Sequence, residues 1–346
     1  MKPEQTERLF VEQLFKEYVE KKLKSPSPES AQVTKLTGDA STRRYYRINN
    51  GEKQSYVLCL DNPQEIENED YEFFSIQRFF ESNKIRVPKI YDLDIKKGFV
   101  LQEDLGDQTL LSHLSSINGS TDELKLYKQA IDILLRLQVL TQKKEQSPEI
   151  ANRAFNVEKY LFEFGHCHKY FIKNLLGAGL SQDEEKIFFD HYESVSMSLS
   201  RLPRVITHRD FHSRNIMFWD KELVVIDFQD ARMGTHFYDL VSLLEDCYYQ
   251  IGRENKEKLV DYYCDHVDRS IIYPDFFKSF ERNYKMMKIQ RLYKAIGSFA
   301  YIFCERKDSR YLRYIGRSME ELKTALMSFK EFDDFRKTLF KIYYES

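Results

Sequence analysis

His208-Arg209-Asp210-Phe211-His212-Ser213-Arg214-Asn215-Ile216-Met217, followed by Leu223-Val224-Val225-Ile226-Asp227-Phe228-Gln229-Asp230, is the one compact strand-rich island in the second half of this chain of 346 residues. An aspartate, an asparagine five residues on and a second aspartate closing an apolar run form a pattern suited to phosphoryl transfer. That chemistry needs a carboxylate to orient the attacking hydroxyl and accept its proton. It also needs an amide oxygen and a further carboxylate to hold a hard cation against the phosphate charge. Asp210 therefore reads as the catalytic base, and Asn215 and Asp227 as magnesium ligands. An apolar strand delivering Asp227 sets its position by packing.

On the C-terminal side, Asp239 lies at the head of the expected helix Tyr238 to Ile251, where it caps that helix and ties down the catalytic loop. His208, Arg214, Asp230 and Asp239 are thus substrate contacts or loop supports. Further long helices are expected over Leu124 to Leu140, Val157 to Leu176, Glu184 to Leu199 and Asn283 to Phe303. Tyr160, Phe164, Tyr293 and Tyr301 could stack on a sugar, but core packing is the preferred role for most of them. The run from Arg306 to Arg317 mixes arginines with tyrosines and reads as a solvated face or an internal ion network. His166 and His168 at i,i+2 on a helix point apart, which argues against a metal site.

The first hundred residues have a different character. A helix over Glu7 to Leu23 shows apolar residues at three- to four-residue spacing and ends at Ser25-Pro26-Ser27-Pro28. Strands are expected around Tyr45 to Ile48, Tyr56 to Leu60, Val87 to Tyr91 and Gly98 to Gln102, with a helix over Asn68 to Asn83. The small turn Gly38-Asp39-Ala40-Ser41-Thr42, with Arg43 after it, can cradle phosphates through backbone N–H groups. Glu103 and Leu105, in the segment where the composition changes, offer main-chain groups to a purine edge. The pattern is α+β: residues 1–102 as a small antiparallel nucleotide-binding lobe with a leading helix, 103–107 as a hinge, and 108–346 as a helical lobe with catalytic loop and substrate site.

Composition narrows the partners. With 53 Lys and Arg against 55 Asp and Glu, no block of one sign marks a nucleic-acid arm or acidic tail. Five cysteines are scattered singly, with neither a CxxC pair nor a disulfide framework. No apolar run is long enough for a membrane span, and charges occupy the place of a secretory leader, so a cytoplasmic protein is expected. Oligomeric state is open, with a monomer preferred.

The island, together with Thr37-Gly38-Asp39-Ala40-Ser41-Thr42-Arg43-Arg44-Tyr45-Tyr46-Arg47, Gln102 to Asp107, Phe237 to Leu244 and Gln290 to Gly297, resembles the aminoglycoside phosphotransferase superfamily. Within it, the chain is most similar to the bacterial N-acetylmuramate/N-acetylglucosamine anomeric kinases. The resemblance implies a bilobed, protein-kinase-like fold and magnesium-dependent transfer from ATP to the C1 hydroxyl of an amino sugar, in cell-wall sugar salvage. It implies the same parts for Asp210, Asn215 and Asp227, a phosphate loop at Gly38 to Thr42 and an adenine hinge at Glu103 to Leu105. Kinases of other small molecules, such as aminoglycosides or choline-like amines, and a non-catalytic scaffold are the alternatives. The strand Tyr56-Val57-Leu58-Cys59-Leu60 lacks the lysine usual in the superfamily, so metal and backbone donors, or an arginine such as Arg43 or Arg44, are expected to compensate.

Overall fold

The structure is a computed structural model and describes residues 3–23, 31–36, 43–49, 55–67, 71–117, 119–143 and 147–345. It divides into two compact units, Met1–Asp107 with Trp219–Ile226, and Gln108–Phe218 with Asp227–Ser346.

The first unit opens with α1 (Pro3–Tyr18), which passes into one π-helical turn. It then builds β1 (Gln32–Leu36), β2 (Arg44–Asn49), β3 (Ser55–Leu60), α2 (Glu72–Ser82), β4 (Ile90–Asp94) and β5 (Phe99–Glu103). The strands form one sheet in the order β1-β2-β3-β5-β4, antiparallel at every pairing. Val11, Leu14, Phe15 and Tyr18 of α1 pack with Tyr46, Ile48, Tyr56, Leu58 and Leu60 on one face. Cys59 and Val100 meet Tyr71, Phe73 and Phe74 on the other. With both faces covered, β3 is apolar along its length instead of alternating. Sequence reading missed β1 because it is an edge strand of polar residues in which only Val33 is buried. The strand expected from Val87 begins at Ile90, after Pro88, which has no N–H to give a ladder.

The second unit is mainly helical: α3 (Leu110–Ser116), α4 (Ser120–Val139), α5 (Pro148–Ala151), α6 (Val157–Cys167) and α7 (Gln182–Ser200) come first. Strands β6 (Arg204–Thr207) and β7 (Ile216–Trp219) follow, and the chain then returns to the first unit for β8 (Glu222–Val225). There the Val225 N–H donates to the Arg86 carbonyl at 2.9 Å. Back in the second unit, β9 (Arg232–Thr235) pairs antiparallel with β6. The remaining helices are α8 (Phe237–Leu244), α9 (Arg253–His266), α10 (Phe276–Arg306), α11 (Ile315–Leu326) and α12 (Asp333–Glu345).

The expected helix over Val157 to Leu176 changes to π-helical turns at His168. The one expected to reach Ile251 stops at Leu244. The last of the expected helices is longer than read, and Lys307, with φ 57°, ends it in the left-handed conformation. This α10 is the spine of the unit and packs against α6, α8 and α11. At Gly297 an added Cβ would sit 2.5 Å from Cys167 Cα, so only glycine allows α10 and α6 to approach this closely. Tyr160, Phe164 and Tyr293 are buried in this core, stacked or tilted against Phe155 and Tyr192. Among the described residues no helix is long and apolar enough to cross a membrane.

Candidate active site

The loop from His208 to Asn215 leaves the buried strand β6 and closes on itself. The His212 N–H donates to the Asp210 carbonyl at 3.1 Å, and the Asn215 N–H to the His212 carbonyl at 2.9 Å. The Asn215 side-chain amide donates to that same Asp210 carbonyl at 3.0 Å. Two buried carboxylates hold the loop by its main chain. Asp239 accepts from the N–H groups of His208 at 2.5 Å and Arg209 at 3.0 Å. Asp246 accepts from the Ser213 N–H at 3.0 Å and its hydroxyl at 2.5 Å. Burial pushes Asp239 up to about 6 and also raises Asp246, with the loop's hydrogen bonds opposing the shift in both. Asp239 makes no cap hydrogen bond for α8: it lies inside the helix, and its side chain is occupied by the loop. The expected capping is therefore corrected to loop support alone.

Three cations converge on Asp210. Its Oδ1 accepts from Lys294 Nζ at 2.6 Å and from an Arg291 Nη at 3.4 Å, and its Oδ2 lies 3.9 Å from Arg209 Nε. Burial favours the neutral acid, but Lys294, Arg209 and Arg291 together outweigh it and hold the carboxyl well below the usual range. Arg291 is fixed in turn by Tyr238, whose hydroxyl accepts its hydrogen bond at 2.8 Å and whose ring lies 4.6 Å from the guanidinium carbon. Buried Glu163 on α6 accepts from Gln290 at 2.7 Å and from the Tyr238 hydroxyl at 3.4 Å.

Asp227 stands beside this cluster in the left-handed region, with φ 62°, a conformation that costs a non-glycine residue roughly 1–2 kcal/mol. Its Oδ2 accepts from Asn215 Nδ2 at 3.3 Å and its Oδ1 from Gln229 at 2.7 Å. Burial raises its pKa, the Gln229 hydrogen bond opposes this, and the Asp210 and Asp230 carboxylates raise it further. Asp230 is paired with Arg209 at 2.8 Å and Arg232 at 3.2 Å. An acid raised by burial and by its acidic neighbours, next to an amide whose nitrogen is already engaged, offers oxygen donors of the kind magnesium takes.

Of the residues read from sequence, Asp210, Asn215, Asp227, Asp230, His208 and Asp239 come together here. Arg214, on the same loop, has its guanidinium carbon 4.8 Å from the Tyr248 ring and 5.2 Å from that of Tyr311. Gly38, Asp39, Ala40, Ser41 and Thr42 lie outside the described residues. In the first unit Arg43 is bound to Asp61 at 2.9 Å, and Arg44 lies 2.9 Å from Glu7, so both are engaged by carboxylates of their own unit. The Glu103 side chain pairs with Arg86 at 2.6 Å, and its N–H donates to the Lys89 carbonyl at 2.9 Å. Leu105 is buried.

Sequence reasoning placed Arg291 and Lys294 in a motif of the resemblance but gave them, Glu163 and Asp246 no role at the site. The usable signal was Arg291 and Lys294 at i,i+3 on one face of a helix otherwise rich in apolar residues, since buried cations require an anion opposite.

The profile of the family described as phosphotransferase enzymes matches residues 32–273. An N-acetylmuramate/N-acetylglucosamine kinase of Neisseria meningitidis serogroup B is 29% identical over 300 residues, 86% of this chain and 87% of that protein. Its namesake in Pseudomonas putida is 30% identical over 286 residues, 82% of this chain and 80% of that one. Among solved structures, the ADP-bound aminoglycoside phosphotransferase APH(2'')-Ib aligns with a TM-score of 0.56 at 18% identity, covering 88% of this chain and 96% of that one. The choline kinase LicA from Streptococcus pneumoniae aligns with a TM-score of 0.58 at 16% identity, covering 91% and 99%. Both likenesses are of fold, the protein-kinase-like fold expected from the sequence.

Proposed function

This chain belongs to the phosphotransferase enzyme family, and from that premise we propose that it is an ATP- and magnesium-dependent kinase acting on the anomeric C1 hydroxyl of an amino sugar, N-acetylmuramate or N-acetylglucosamine, in cell-wall sugar salvage. The acceptor is supported by the names of the curated relatives, which match over most of both chains. The reaction rests on one observation: an ionised Asp210 ringed by Lys294, Arg291 and Arg209, on a closed loop that also carries Asn215 to Asp227.

Asp210 orients the acceptor hydroxyl. Held well below the ordinary carboxylate range, it is a weak base, so it takes the proton late, once the attacking oxygen has become acidic through bonding to phosphorus. The new bond joins the sugar oxygen to the γ-phosphorus, the bond from that phosphorus to the β–γ bridging oxygen breaks, and ADP carries away the electron pair. Asn215 Oδ1 and the Asp227 carboxylate are the groups that would hold magnesium, whose charge offsets that of the phosphates. The first unit would carry the nucleotide, through Gly38 to Thr42 and the main chains of Glu103 and Leu105, and the second unit the acceptor. The place of work would be the cytoplasm, where ATP is available.

The test is a magnesium-dependent ATP assay on a panel of reducing amino sugars, choline and aminoglycosides, with the C1 position of any sugar product followed by NMR. Phosphate at C1 of an amino sugar is the expected result, and turnover confined to an amine or an aminoglycoside would overturn the acceptor.

A further inference from the structure

The second unit contains a cavity of ≈ 400 Å³ lined by Thr109, Ser112, Arg214, Arg310, Tyr311 and Arg313, among others. Every charged residue of its lining is an arginine. Arg214 lies against the rings of Tyr248 and Tyr311, and an Arg313 Nη donates to the Tyr314 hydroxyl at 2.7 Å. Arg310 is held by both oxygens of Asp308, at 2.7 Å for Oδ2 and 3.0 Å for Oδ1. Aromatic walls hold flat guanidinium groups in place, and a planar fork of N–H donors matches a carboxylate.

The cavity is also joined to the reaction centre through one loop. Arg214 immediately precedes Asn215, whose amide nitrogen bonds to the Asp210 carbonyl. The neighbouring Ser213 carbonyl accepts from the Leu111 N–H of α3 at 3.0 Å, which fixes the cavity wall to the catalytic loop.

We propose that this cavity is an anion subsite for the carboxylate of a sugar-acid acceptor, the ether-linked carboxylate by which N-acetylmuramate differs from N-acetylglucosamine. The proposal rests on the amino-sugar reading above and deepens it: the acid sugar is the preferred acceptor, and Arg214, Arg310 and Arg313 set the preference.

The experiment measures kcat/KM for both sugars at saturating ATP, with the full chain and with Arg313→Gln, Arg313→Lys and Asp308→Asn. Losing one charged fork is expected to lower the acid-to-neutral ratio roughly ten-fold, and lysine to restore part of it. Asp308→Asn keeps an acceptor for the turn but frees Arg310 of a competing carboxylate, so the ratio is expected to rise. That rise tests the proposal even where Arg313→Gln fails to fold. An unmoved ratio in all variants, or equal losses on both sugars, would overturn the subsite while leaving the kinase reading intact. Turnover of neither sugar by the parent would overturn the amino-sugar reading, and the subsite with it.

Discussion

Arginines and carboxylates are arranged differently in the first unit and at the Asp210 site of the second. In the first, most described pairs are local and balanced: Arg43 with Asp61, Arg44 with Glu7 and Arg86 with Glu103, while Arg47 faces both Asp104 and Asp107. At that site Lys294, Arg291 and Arg209 crowd one carboxylate, while Asp227 beside it is pushed up by burial and further by its acidic neighbours. Balanced pairs hold strands and loops together. Unbalanced ones store electrostatic potential that an incoming charged group can relieve, which is why perturbed acids concentrate where chemistry occurs.

The contrast is broken most severely by Asp210→Asn, which keeps the shape and removes the charge. Loss of kcat by about a thousand-fold is expected, within the range of general-base contributions, with nucleotide binding retained. Equal turnover of variant and parent would remove Asp210 from its assigned part. The intermediate case is Lys294→Met. Burial and the nearby Arg291 charge lower the lysine to about 8, with Asp210 opposing. The ammonium is therefore present below that pH and lost above it, so kcat of the parent should fall as pH rises through about 8. In the variant that limb should vanish and kcat at neutral pH should drop by roughly ten-fold or more. An alkaline limb that persists would assign it to another group. The smallest effect belongs to the first unit: Arg44→Gln breaks a surface pair, and denaturant unfolding should show a change within about 1 kcal/mol, with kcat within about two-fold. A large loss of activity there would erase the distinction between the units.

The same contrast explains what was legible in the sequence. Asp210, Asn215 and Asp227 occupy one short segment, and phosphoryl-transfer chemistry fixes their spacing, so they stand out without any fold. The α+β division was legible too, because the apolar run of β3, the helix bearing Phe73 and Phe74, and the long helices of the second unit carry strong patterns, whereas the protein-kinase-like fold came from the resemblance. Lys294 and Arg291 reach Asp210 across more than eighty positions, a distance over which no local pattern operates. α9 escaped notice because only Asn255, Leu259 and Tyr263 of its fourteen residues are buried, and β1 because an edge strand keeps its polar side chains. Asp239 was placed beside the right loop, but its buried interior position on α8 had no signature that separates it from a cap.

Asp239 and Asp246 grip the catalytic loop mainly through peptide N–H groups, which every residue except proline possesses. The side chains at positions such as 212 and 214 can therefore be exchanged without loosening the grip. The loop is a replaceable cassette in a fixed socket, and new acceptor preferences can evolve on it while the Asp210 carboxylate stays where it is.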